Sequence, residues 1–295
     1  MTPHSLALKG IFTALVTPFS KDGSAVDYDS LSRLIEAQKS AGVAGVVVCG
    51  STGEAATLSD AEYVEVVRFV RERTQGVFPC VAGISVSATA RAVELAKICA
   101  EMGCDGILVA TPPYNKPAQA GIVAHFRAIS VVSETPLIAY NIPGRSGVAI
   151  APATLGQLSR EGLIVGIKES SGSIDALADT MVAVTSDCRV VSGDDSLLLA
   201  TLAYGGTGAI SACSNVMPKE FVGLHQAFVK GECSKAKDIQ LEILGRIRTL
   251  FVESNPVPVK AALALKGVIA HPTVRLPLVP LAPENLERVR KEFSV

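Results

Sequence analysis

In "LIVGIKESSG" (residues 163–172) an apolar run ends on a lysine, Lys168. An ammonium at the end of a buried strand loses its hydration, so the residue needs a reason. One reading is a snorkelling side chain, or one paired with Glu169 or a nearby aspartate. The other is chemical. An enclosed apolar site disfavours the charged amine. A free amine can attack a ketone and form a Schiff base, an electron sink for carbanion chemistry that needs neither metal nor pyridoxal phosphate. Strand alternation points Lys168 the same way as Gly166 and Ile164, and Gly166 would leave room for the imine. Tyr140 ends the apolar "PLIA" run, where a phenol could shuttle protons or simply hydrogen-bond as a core tyrosine. Ser51 and Thr52 follow Gly50, as a carboxylate-binding nest of amides and hydroxyls or as a plain turn with a helix cap. Arg145 sits in the Pro-Gly loop of "YNIPGRSG", either as a surface residue or as a bidentate carboxylate holder. Together these residues describe a site for a small oxo-acid with Lys168 as nucleophile.

Such residues must be brought together by the elements that carry them. Eight short β-branched runs recur along the chain: "IFTALVTPF", "GVVVC", "FPCVAGIS", "GILVATP", "TPLIAYNIP", "LIVGIKES", "CRVVSGDD" and "TGAISACS". Between them lie stretches with apolar residues at helical spacing. Several end in glycine, and "LSDAE" and "SATA" offer N-caps. Near-continuous apolar strands alternating with amphipathic helices predict a parallel sheet covered on its outer face. Eight such units predict a (β/α)8 TIM barrel over residues 1–230, followed by a C-terminal helical extension, 231–295, packed on the barrel. No GxGxxG turn follows the first strand, which argues against a doubly wound sheet. In a barrel, active sites collect at the C-terminal ends of the strands. There stand "CGSTGE", "TPPYN", "AYNIPGRSG", "GIKESSG", "SGDD" and "GAISACSN".

Composition removes other classes of function. The 295 residues are 48% hydrophobic with a net charge of −1, which gives no bulk attraction to nucleic acid or to a membrane surface. No apolar stretch approaches the ~20 residues of a membrane span, and the N-terminus lacks signal-peptide features, so a cytoplasmic protein is expected. Seven scattered cysteines without a CxxC pair predict buried thiols in a reducing compartment. His4, His125, His225 and His271 share no ligand spacing, so a metal site is not expected, and neither is a metal-stabilised enolate.

The motifs "GSTGEAATLS", "TPPYNKP", "YNIPGRSG", "GIKESSG", "SGDD" and "FVESNPVPVK" resemble, in order and over nearly the whole chain, the dihydrodipicolinate synthase branch of the pyruvate-dependent class I aldolases. The resemblance implies that Lys168 forms the imine with pyruvate and that Tyr140, Ser51 and Tyr114 form a proton relay. In the family the last tyrosine reaches into a neighbouring subunit, which implies a tight dimer and a homotetramer built as a dimer of dimers. It further implies that Thr52 and Ile210 contact bound pyruvate, that Gly193 shapes the pocket floor, and that Arg145 holds the carboxylate of L-aspartate-4-semialdehyde. No cofactor is implied beyond the covalent imine. The implied product is 4-hydroxy-tetrahydrodipicolinate, on the route to diaminopimelate and lysine.

The chain departs from the family pattern in places. Ser51 stands where threonine is usual, with a modest effect on rate expected. Pro113 replaces a tyrosine and Arg91 a glutamate that line a lysine-binding allosteric pocket in inhibited members, while Tyr63 and Ser87 replace a histidine and an asparagine. Insensitivity to lysine is therefore expected. The alternatives are a related aldolase, such as N-acetylneuraminate lyase or a 2-keto-3-deoxy sugar acid aldolase, and a non-catalytic barrel that binds an oxo-acid. Arg145 disfavours the first, since a polyol partner needs hydroxyl readers more than a fixed cation.

Overall fold

A computed structural model describes residues 6–293 of the chain, so that His4 lies outside the described residues. Eight strands, β1 (Gly10–Ala14), β2 (Gly45–Val48), β3 (Cys80–Ile84), β4 (Gly106–Ala110), β5 (Leu137–Asn141), β6 (Gly166–Glu169), β7 (Arg189–Ser192) and β8 (Gly208–Ser211), pair in parallel in chain order. β8 returns to β1 and closes the barrel that the strand–helix alternation predicts. The helices are α1 (Tyr28–Ala41), α2 (Asp60–Thr74), α3 (Thr89–Glu101), α4 (Gln119–Ser130), α5 (Pro143–Ser146), α6 (Pro152–Arg160), α7 (Ile174–Ala183), α8 (Leu198–Ala203), α9 (Pro218–Val229), α10 (Cys233–Thr249), α11 (Val257–Leu265) and α12 (Pro283–Phe293). None is long and apolar enough to cross a membrane.

Local chemistry sets most of these boundaries. The Asp27 carboxylate accepts from the Ser30 amide at the start of α1, and Gly42 ends that helix in the left-handed conformation that costs glycine least. Ser59 and Glu62 form a reciprocal capping box on α2. The "SATA" segment behaves otherwise: Ala88 is the N-cap of α3 and no side chain caps it. α2 and α3 are C-capped by Gln75 and Met102, and the left-handed Gly76 and Gly103 that follow stop them as the glycine signals predict.

Strand alternation separates two apolar layers. Val46, Val48, Cys80, Ala82, Ile107 and Val109 face outward into the main core under the helices. Phe12, Val47, Val81, Leu108, Ile138, Val191 and Ile210 face inward and fill the barrel, with Leu8 packed among them. The lower barrel is closed because inward positions there are glycine. A Cβ on Gly45 would stand 2.3 Å from the Phe12 ring, and one on Gly166 2.6 Å from Leu8 Cδ2. Gly166 therefore makes room for Leu8 rather than for an imine. Ile164 precedes β6 and joins the outer core, so the inward alternation starts only at Gly166.

The C-terminal helices share the barrel's outer core through Ile243, Ile247, Val259, Leu263 and Phe293. Lys260 of α11 is fully buried and ion-paired with the buried Glu54 of the "GSTGE" loop. Its ammonium also donates to the Thr273 carbonyl at 2.8 Å, and burial draws its pKa down to about 8 against the opposing pull of Glu54. The second Glu54 oxygen accepts from the Arg275 amide at 3.1 Å. The Phe19 ring lies between the two cations, 4.0 Å from Lys260 Nζ and 4.2 Å from Arg275 Cζ. Lys260→Met leaves Glu54 buried without its partner, and a loss of about 3–5 kcal/mol in urea unfolding is expected. Adding Glu54→Gln to the same chain recovers part of that loss, because no uncompensated carboxylate remains.

Candidate active site

Lys168 projects into the upper barrel from β6, in register with Tyr140 on β5 and Val191 on β7. It is 5% exposed, and among the described residues it makes neither an ion pair nor a hydrogen bond. Glu169 is not its partner. That carboxylate faces the other way, accepting from Asn141 Nδ2 at 2.8 Å and from the Ser171 amide at 2.7 Å. The amine lies over the Tyr140 ring, whose centroid is 4.3 Å from Nζ. Gly193, just past β7, gives the lysine its space: a Cβ there would stand 2.8 Å from both Lys168 Cγ and Cε and 1.8 Å from Ser170 Oγ. The Ser170 hydroxyl is itself buried without a partner. The glycine that accommodates the lysine is thus on the neighbouring strand and not two residues before it.

The hydroxyl loop lies across the barrel mouth. Cys49 and Glu54 bracket it with φ of 53° and 51°, a left-handed backbone that only a well-braced segment holds for non-glycine residues. β3 supplies a fitting gap, since a Cβ on Gly83 would lie 2.5 Å from the Cys49 carbonyl. Within the loop the Gly53 and Glu54 amides close turns onto Gly50 and Ser51. The Ser51 and Thr52 amides donate to no protein group among the described residues. They are therefore free to receive a carboxylate, as the nest requires. Thr52 is buried, and its Oγ1 accepts from Asn255 Nδ2 at 2.9 Å. This bond leaves the Thr52 proton available to a ligand.

Arg145, in the short helix α5, stands at the rim and donates through Nη2 to the Asn255 carbonyl at 2.8 Å. Gly50, Ser51, Arg145 and Asn255 line one cavity of about 240 Å³. A wider groove of about 560 Å³ is lined by Ile142, Ser170, Gly193, Asp194 and Arg248. Ile210 packs inside the barrel, opposite Phe12 in the β1–β8 register, so its side chain belongs to the core. Tyr114 is not brought into the site of its own chain: it is 90% exposed on a left-handed backbone with φ of 70°.

Three residues of consequence carry no role in the sequence reading. Asp195 is fully buried, accepts from the Cys213 amide at 3.0 Å, and has its pKa raised by burial against the Cys213 and Lys168 contributions. Asn255 and Lys260 belong to "FVESNPVPVK", where polar groups amid an apolar run were the available signal. Among the described residues no group of three or more His, Cys, Asp or Glu side chains is placed to hold a metal ion. The Gly193 geometry yields a direct test. Gly193→Ala should fold, by circular dichroism, yet lose at least about 100-fold in the rate of borohydride trapping with pyruvate, because the added methyl takes the space of the Lys168 side chain.

A family model of the dihydrodipicolinate synthetase family matches residues 7–294. The 4-hydroxy-tetrahydrodipicolinate synthase of Koribacter versatilis is 42% identical over 294 residues, covering 98% of this chain and 97% of that one. The solved dihydrodipicolinate synthase of Thermotoga maritima superposes with a TM-score of 0.93 at 37% identity, covering 96% of this chain and 98% of that one. That of Aquifex aeolicus gives 0.93 at 38% identity and 97% coverage of each. Matched over nearly its whole length in both sequence and fold, and carrying the lysine of β6 in an open barrel mouth, the chain belongs to the dihydrodipicolinate synthetase family.

Proposed function

We propose that this chain is a 4-hydroxy-tetrahydrodipicolinate synthase that condenses pyruvate with L-aspartate-4-semialdehyde. The carrying observation is the buried, unpaired amine of Lys168 against Tyr140, with free amides at Ser51 and Thr52 across the mouth. The relatives named above bear this activity in their names.

In this reading the pyruvate carboxylate rests on the Ser51 and Thr52 amides and the Thr52 hydroxyl, and the backbone of Ile210 borders it. The Lys168 amine attacks the ketone carbon, water leaves, and an imine forms. The imine draws electrons from the adjacent methyl, so no metal or organic cofactor is required. Tyr140 and Ser51 move the protons that turn imine into enamine, and Tyr114 of a second subunit completes the relay. A tyrosine held 90% exposed on a left-handed backbone suits that role better than one within its own chain and supports a homo-oligomer, which in this proposal is a dimer of dimers. The enamine carbon adds to the aldehyde while Arg145 holds the carboxylate of that substrate. The substrate amine then displaces Lys168, which releases the ring and frees the enzyme. Per turnover, one pyruvate and one aldehyde give one product and one water. Six cysteines buried as free thiols support a reducing compartment, the cytoplasm.

Arg91 pairs with Asp60 and with Glu94, the latter at 2.9 Å. The carboxylates there are already engaged and offer little to the ammonium groups of a lysine ligand. Turnover is therefore expected to be unchanged by sub-millimolar lysine, and inhibition in that range would refute this.

The functional test is a coupled assay with pyruvate and aspartate semialdehyde beside one with pyruvate and N-acetylmannosamine. Turnover is expected in the first mixture, with borohydride adding pyruvate-derived mass at Lys168 and none in Lys168→Ala. Turnover in the second mixture alone would place the chain in another branch of the aldolases.

A further inference from the structure

Asn255 is tied to both substrate positions at once. Its side-chain nitrogen donates to Thr52 Oγ1 at 2.9 Å, and its backbone carbonyl accepts from Arg145 Nη2 at 2.8 Å. The residue is only 8% exposed, and its remaining polar atom, Oδ1, is buried with no hydrogen-bond partner. A buried amide oxygen without a donor is costly and marks a place where a donor is missing. Asn255 lines the same cavity as Ser51 and Arg145. With the amide nitrogen placed toward Thr52, the hydroxyl proton of Thr52 stays free for a carboxylate.

The aldehyde of the proposed reaction carries a carboxylate and an amine on one carbon. A carboxylate on Arg145 sets that carbon beside Asn255, and the amine then requires an acceptor. Glu54, the carboxylate lining this cavity, is already committed to Lys260 and to the Arg275 amide. The Ser51 hydroxyl is assigned to proton transfer. With Glu54 committed to Lys260, Asn255 Oδ1 is, among the described residues lining this cavity, the buried acceptor left without a donor.

We propose that Asn255 Oδ1 accepts an N–H of the aldehyde's α-amino group, which makes Asn255 the residue that distinguishes an amino-bearing aldehyde from its des-amino analogue. The proposal rests on the functional reading above. A site built to pair a polar group of its substrate rejects the analogue lacking it, because the buried protein atom then stays unpaired.

The test compares the single-turnover rate of aldehyde addition for aspartate semialdehyde and for succinic semialdehyde, its des-amino analogue, whose adduct lacks the amine that frees Lys168. The enzyme is loaded with one equivalent of pyruvate, and the readout for both is the rate at which borohydride-trapped pyruvate mass at Lys168 disappears. The wild-type enzyme is expected to prefer the amino-bearing aldehyde by about 10- to 100-fold. Asn255→Ala should abolish that preference by losing far more activity with aspartate semialdehyde than with succinic semialdehyde. Asn255→Asp retains an acceptor and should keep the preference. It should also raise KM for pyruvate, because its carboxylate takes the Thr52 proton. Borohydride trapping with pyruvate confirms in each variant that the lysine site is assembled. An equal loss with both aldehydes in Asn255→Ala would reduce Asn255 to a brace for Thr52 and overturn the proposal, as would a preference lost in both variants. If the wild-type enzyme failed to turn over aspartate semialdehyde at all, the functional reading itself would fall.

Discussion

The mouth of this barrel is organised around an amine that, among the described residues, has neither an ion-pair nor a hydrogen-bond partner. A lysine with 5% exposure and no carboxylate nearby in contact is an unfavourable arrangement. The surrounding residues make it tolerable without neutralising it. The Tyr140 ring offers its electron-rich face, Gly193 cedes the volume of a methyl group, and Glu169 is turned outward and satisfied by Asn141 and Ser171. Asp195, buried close enough to feel the lysine, is held by the Cys213 amide. The bonds that hold Glu169 and Asp195 keep both carboxylates engaged elsewhere than on the amine.

A second lysine shows how much depends on pairing. "PVPVK" and "VGIK" share one pattern, an apolar run ending in lysine, and both lysines are buried. Lys260 is bound by Glu54 and by the Thr273 carbonyl and serves as a structural cation, whereas Lys168 is left free. No count of apolar neighbours along the chain separates the two. What separates them is which carboxylate lies opposite, and that is fixed by contacts from distant parts of the chain.

The same distinction explains what was legible in the sequence. Hydrophobic alternation and helix-ending glycines are local signals, and they carry the eight strands, most helix boundaries and the closed barrel. The positions of Lys168, Tyr140, Ser51, Thr52 and Arg145 follow from their places at strand ends. The misreadings are all questions of which group fills which space. Gly166 makes room for Leu8 from the start of the chain, Ile164 lies outside the strand alternation, and "SATA" does not cap its helix. Asn255 was hidden for the same reason, since its importance lies in contacts with Thr52 and Arg145 far away in sequence.

The bond from Asn255 to Thr52 spans 203 positions, and that from the Arg275 amide to Glu54 spans 221. A chain emerging from the ribosome therefore completes all eight strands, with Lys168 in place, before the segment that braces the hydroxyl loop exists. Loop-closure entropy does not set these contacts apart, since barrel closure itself pairs Gly10 with Gly208; the order of synthesis does. Until Asn255 has been synthesised, the chain carries Lys168 without the bond that braces Thr52. Translation order thus separates synthesis of the strand that carries Lys168 from synthesis of the segment that braces the Thr52 loop.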